Sequence, residues 1–111
     1  MSFLVVTTAT LEAEFQDQYI YISERSPSGA ESWARAFRDA LDQLSRIASS
    51  CPKAPEAMDH PEVIRQLLFK TRHGRRYRLL FVVRDETVYV IHIRGPRQNL
   101  MQAGEIELPD E

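Results

Sequence analysis

Positive charge gathers in one stretch of this chain, and it is the first feature from which chemistry can be argued. Lys70, Arg72, Arg75, Arg76, Arg78, Arg94 and Arg97 lie among runs of β-branched and aromatic residues. A guanidinium donates two parallel hydrogen bonds to phosphate oxygens and keeps its charge at any physiological pH. Arg78 sits inside a strand pattern and Arg97 just past the last one. Both are therefore placed to converge with Lys70, Arg72, Arg75 and Arg76 near one end of a sheet, as a phosphate-binding patch requires. The same residues equally suit a solvated edge, whose charges deter edge-to-edge pairing. His73 reads first as a polar turn residue beside Gly74 and is a minor candidate acid or base, because imidazole titrates near neutral pH. His60, His73 and His92 have no metal-ligand spacing with each other or with Cys51, so no metal and no cofactor is expected. His92 falls in a strand, which suits a satisfied, partly buried imidazole. Cys51, before Pro52, reads as an unreactive loop residue. Gly-rich phosphate loops, nucleophile elbows and paired carboxylates do not occur.

Net charge, −2 overall, conceals the distribution. Residues 1–60 sum to −4, residues 61–97 to +6, and residues 98–111 to −4. A basic island between acidic segments suits a polyanion or an acidic protein partner. At 111 residues the chain is long enough for one core and too short for two. The expected organisation is a single domain over residues 1–97 and an acidic, mostly irregular tail over 98–111, which is free to fold back over the basic patch as a weak shield. The N-terminus lacks a basic region followed by a long apolar run, so neither a signal peptide nor a membrane span is expected, and the default compartment is the cytoplasm.

The elements that must position these charges follow from periodicity. A short β-rich segment at 3–7 precedes Thr8 or Thr10 as a helix cap. Leu11, Phe15, Tyr19 and Ile22 then make an apolar stripe on a helix over 9–25, with Glu12, Glu14, Asp17 and Glu24 toward solvent. Pro27 breaks it. Ser28 with Glu31 matches a capping box, which predicts a second helix over 30–49 carrying Trp33, Ala34, Phe37, Leu41, Leu44, Ile47 and Ala48 on one side. Three prolines mark 50–61 as loop. A strand over 63–71 and the pair 76–83 and 87–94, joined by Arg84-Asp85-Glu86-Thr87, complete a meander. In the first strand of that pair Tyr77, Leu79, Phe81 and Val83 share one face, and Arg78, Leu80 and Val82 the other. The fold class is α+β, β-α-α-β-β-β, a helical hairpin packed on one face of a mainly antiparallel sheet with the opposite face left open.

Four stretches in this order carry a family resemblance. They are the helix pair joined by Glu24-Arg25-Ser26-Pro27, the strand Tyr77-Arg78-Leu79-Leu80-Phe81-Val82-Val83, the turn Asp85-Glu86-Thr87-Val88, and the ending Val90-Ile91-His92-Ile93-Arg94-Gly95-Pro96-Arg97. Together, over residues 3–97, they resemble the RelE/ParE toxins of type II toxin-antitoxin systems, proteins of the plasmid stabilisation kind. The resemblance implies a toxin neutralised by an antitoxin segment packed on it as a hetero-oligomer. In the RelE branch the toxin enters the ribosome and cuts messenger RNA without a metal. The ribose 2′-hydroxyl attacks a phosphate held by basic residues. Carried over by position, Arg78 follows the strand tyrosine and Arg97 follows the last strand. Lys70 loosely represents the lysines of the preceding strand, His73 is a possible helper, and Arg72, Arg75, Arg76 and Arg94 are expected around the phosphate. Arg78 and Arg97 would then stabilise the charge of the pentacoordinate transition state. Two departures stand out. Many relatives have a histidine where this chain runs Arg94-Gly95-Pro96-Arg97, and the tail Gln98-Asn99-Leu100-Met101 lacks the tyrosine of the RelE branch. The ParE branch instead inhibits DNA gyrase and needs no nuclease chemistry. The resemblance thus leaves three functions open: a ribosome-dependent endoribonuclease, a gyrase inhibitor, or a harmless antitoxin-binding homologue.

Overall fold

The computed structural model describes residues 2–71, 75–96 and 98–109. Along the chain run β1 (Leu4–Thr7), α1 (Ala9–Arg25), α2 (Pro27–Ile47), β2 (Arg65–Lys70), β3 (Arg76–Arg84) and β4 (Thr87–Arg94), with short 3₁₀ turns at Ala48–Ser50, Pro55–Asp59 and Ala103–Glu105. This is the expected α+β order. α1 starts where the Thr8 side chain accepts the Leu11 N–H at 3.2 Å. The expected second helix, beginning at Ala30 behind a Ser28 cap, is corrected: α2 begins at Pro27. Ser26 is its cap and accepts the Gly29 N–H at 3.0 Å. A proline in the first turn has no N–H to leave unsatisfied and its φ is already helical, so the residue that stops α1 also starts α2. Glu31, freed from capping, accepts the Tyr19 hydroxyl at 2.8 Å and ties the two helices together.

The four strands lie in the order β1-β4-β3-β2, with β1 parallel to β4 and the other pairs antiparallel. Only Asp85 and Glu86 separate β3 from β4. Asp85 adopts a left-handed φ of 56°, which a short polar side chain tolerates. The helices cover one face, where Leu11, Trp33, Phe37 and Leu44 pack on Leu79, Phe81, Val88 and Val90. Each such fully buried side chain contributes about 1.5–3 kcal/mol by leaving water.

The opposite face is not open, which corrects the sequence expectation. Ala54 and Ile64 from the proline loop, with Met101 and Ile106 from the tail, bury Leu80, Val82 and Ile91. The segment after residue 98 is mostly irregular, yet it is held as a second cover by apolar burial, and no acidic shield over the basic residues is seen among the described residues. Its contacts with arginines run through backbone carbonyls: Asn99 O accepts from Arg94 at 2.6 Å and Pro109 O from Arg84 at 3.4 Å.

Between Leu80 and Phe81 the register slips, leaving Ile91 as an extra residue on β4. β1 pairs no further along β4 than Val90, so the edge of β4 beyond that point needs another partner. Glu14 supplies it, accepting the Ile93 N–H at 2.9 Å through one carboxylate oxygen and bonding His92 Nδ1 at 2.8 Å through the other. The expectation that Glu14 faces solvent is thereby corrected. His92 is buried, and its Nε2 accepts the Glu107 N–H at 3.0 Å, which places the ring proton on Nδ1, toward Glu14. One imidazole thus links α1, the sheet and the tail.

Candidate functional site

Register decides which basic residues meet. Lys70 lies opposite Arg76, Leu68 opposite Arg78, and Arg78 opposite Arg94. Directly paired residues, and residues two apart, share a face of the sheet. Lys70, Arg76, Arg78 and Arg94 therefore stand on the tail-side face, at the end of the sheet that the tail leaves uncovered. Arg75, just before β3, lines the same cleft of about 470 Å³ with Arg76, Arg78, Leu68 and Pro96. Lys70, Arg75 and Arg76 are exposed, and Leu68 and Leu100 stand half-exposed beside them. Arg72, His73 and Arg97, also expected at this site, lie outside the described residues.

The arginines of this cluster are not equivalent. Arg78 is held by Glu56 in a bidentate pair, at 2.9 and 2.8 Å, and donates a further bond to Gln66 Oε1 at 2.9 Å. The Glu56 side chain has no solvent exposure and that of Arg78 has 16%. Burial alone would raise the Glu56 pKa; the Arg78 hydrogen bonds and the Met101 N–H outweigh it and hold the carboxyl at about 2. Glu56 is thus ionised at every physiological pH, and the charge of Arg78 is matched from within the protein. Arg94 bonds the Asn99 carbonyl through Nη2, while its buried Nε has no partner among the described residues. At the far end of the sheet Arg84 is paired with Glu62 at 2.9 Å. Among the described residues the basic island therefore holds arginines that brace the fold and a solvent-facing trio, Lys70, Arg75 and Arg76.

Chemically, the trio can draw and hold an anionic surface, since long cationic side chains on a shared face raise the local concentration of polyanions. Beside it, burial raises the pKa of the Tyr77 hydroxyl, a rise that Arg75 opposes. Sequence reasoning missed Glu56 and Gln66. Glu56 gives no local signal, because its partner is 22 residues away and its burial depends on the tail.

Among solved structures, a chain of the "Chromosomal ParDE TA system from P. aeruginosa" superposes on this one with a TM-score of 0.66. The match covers 85% of this chain and 96% of that chain, at 15% sequence identity. The fold is RelE/ParE-like. No family model matches the sequence, and no curated protein matches it. At that identity the likeness speaks to the fold. Among the described residues, no helix is long and apolar enough to cross a membrane.

Proposed function

We propose that this chain is the toxin of a type II toxin-antitoxin pair, and that it acts inside the cell by binding, as a ParE-like inhibitor of DNA gyrase. The observation that carries this reading is the state of Arg78. The nuclease reading needs that guanidinium on the scissile phosphate, and here both of its terminal nitrogens are engaged, by Glu56 and Gln66. Drawing it away would leave a fully buried carboxylate without its partner, a cost of about 3–5 kcal/mol. Binding makes no such demand. The exposed trio and the neighbouring Leu68 and Leu100 offer charge and apolar contact to a macromolecule without moving Arg78. The antitoxin of the pair would lay an acidic amphipathic segment across the same face.

One observation favours the second reading, a RelE-like endoribonuclease. Lys70 and Arg76 are opposed and exposed, as two phosphate contacts would be. In that reading Arg78, Arg97, Lys70 and His73 carry the chemistry, and Arg72, Arg75, Arg76 and Arg94 bind phosphate. Inducible expression separates the readings. A gyrase inhibitor arrests growth with induction of the DNA-damage response while transcripts stay intact. A nuclease arrests growth with messages cut only while translated. Unimpeded growth would refute both and leave a harmless homologue.

A further inference from the structure

On the helix side of the sheet, away from the cationic face, a hollow of about 440 Å³ opens between the α1–α2 turn and the start of β3. Its size is that of a small-molecule site. Tyr21, Trp33 and Tyr77 form its aromatic walls, with Arg25 and Arg75 among the residues around it and no acidic side chain in the lining among the described residues. Trp33 is 1% exposed, packed at 5.0 Å on the Phe15 ring and edge-on to Tyr77 at 5.8 Å. Its indole Nε1 is buried and has no hydrogen-bond partner among the described residues. A buried donor left unmet costs about 1–3 kcal/mol, and such groups in folded proteins are nearly always satisfied. Arg25 is fixed in place, its guanidinium 3.8 Å from the centre of the Tyr21 ring and donating to Tyr21 O at 3.0 Å. Arg75 is exposed at the opening.

We propose that this hollow is a binding site for a small aromatic carboxylate. A flat ring fits walls made of Tyr21, Trp33 and Tyr77. The ligand supplies an acceptor for the Trp33 N–H, which the described residues leave unmet, and its negative charge faces Arg75 and Arg25, which no acid among the described lining residues balances. This inference uses a different face from the toxin reading and shares with it one residue, Arg75, which lines both clefts.

Trp33 is the one tryptophan in the sequence, so the protein has a single indole N–H resonance to follow. Titration of ¹⁵N-labelled full-length protein with 2-naphthylacetate is expected to shift that resonance saturably. The neutral amide of the same ring should bind about threefold more weakly, and Arg75→Gln, which leaves Arg25 in place, should narrow the difference. Trp33→Phe, which keeps an aromatic ring and removes the donor, should weaken both probes about fivefold by calorimetry. Because that variant alters a core residue, the exposed Arg75→Gln keeps the test valid if Trp33→Phe fails to fold. An indole resonance unmoved by either probe, as when a bound water already satisfies the N–H, overturns the proposal. So does a shift of equal strength for acid and amide, or one indifferent to Arg75→Gln.

Discussion

Glu56→Gln tests how far the arrangement of the cationic face depends on one buried carboxylate. The substitution preserves size and leaves an amide oxygen, but it removes the charge that Arg78 faces across 2.8–2.9 Å. A depression of the Glu56 pKa from 4.5 to about 2 corresponds to about 3 kcal/mol of stability at neutral pH. An independent route gives a similar size, since leaving Arg78 unpaired at 16% side-chain exposure falls at the low end of the roughly 3–5 kcal/mol for breaking a buried pair. For a domain of this length a loss of that order lowers Tm by about 10 °C or more. The sign with pH follows from the depressed pKa. The contribution of Glu56 is fully present above about 4.5 and is lost as pH falls toward about 2. Thermal unfolding of wild type and variant, followed by circular dichroism, should show a wide gap at neutral pH that narrows steadily below about pH 4.5. Adding Arg78→Met to the variant should recover part of the loss, because the uncompensated charge goes with it. A variant as stable as wild type at neutral pH, or a gap that does not change with acidification, would refute the reasoning.

Three further outcomes follow from the packing. Deleting residues 99–111 should expose Leu80, Val82 and Ile91 and free the Glu56 and His92 acceptors, so that the truncated chain loses several kcal/mol in urea titrations and binds a hydrophobic dye that the full chain excludes. Gly29→Ala should destabilise by about 1 kcal/mol despite alanine's higher helix propensity, because a Cβ there would meet Ser26 Oγ at 2.9 Å and displace the α2 cap; an unchanged or raised Tm would contradict this. Burial raises the Cys51 thiol pKa, with Arg65 opposing, so iodoacetamide should label the native protein far more slowly than the urea-unfolded chain at the same pH.

Much of this fold was readable in local patterns, and what was not is non-local. The apolar stripe from Leu11 to Ile22 and the alternation through Tyr77, Leu79 and Phe81 reported α1, β3 and which β3 residues share a face, because periodicity records how side chains divide between the sides of an element. The α2 start was misplaced because Ser26-Pro27 and Ser28-Gly29-Ala30-Glu31 both look like helix entries, and the first-turn proline decides for the earlier one. The packing of the tail on the sheet escaped notice for another reason. An irregular segment has no period, so Met101, Ile106 and Leu108 read as scattered residues although they cover a sheet face. The same blindness applies to the site. Lys70, Arg75, Arg76 and Arg78 could be placed near one sheet end, but that Arg78 is held by a buried carboxylate depends on Glu56, a loop residue far away in sequence.

The central claim is that the exposed cations act by binding while Arg78 serves the fold. Supercoiling by purified DNA gyrase, assayed with the full-length protein added, tests it most directly. The account predicts inhibition with accumulation of protein-linked DNA breaks, weakened in a Lys70→Ala, Arg76→Ala double variant that remains folded. Unimpaired supercoiling, together with codon-positioned cuts in ribosome-bound messenger RNA by the same preparation, would contradict it.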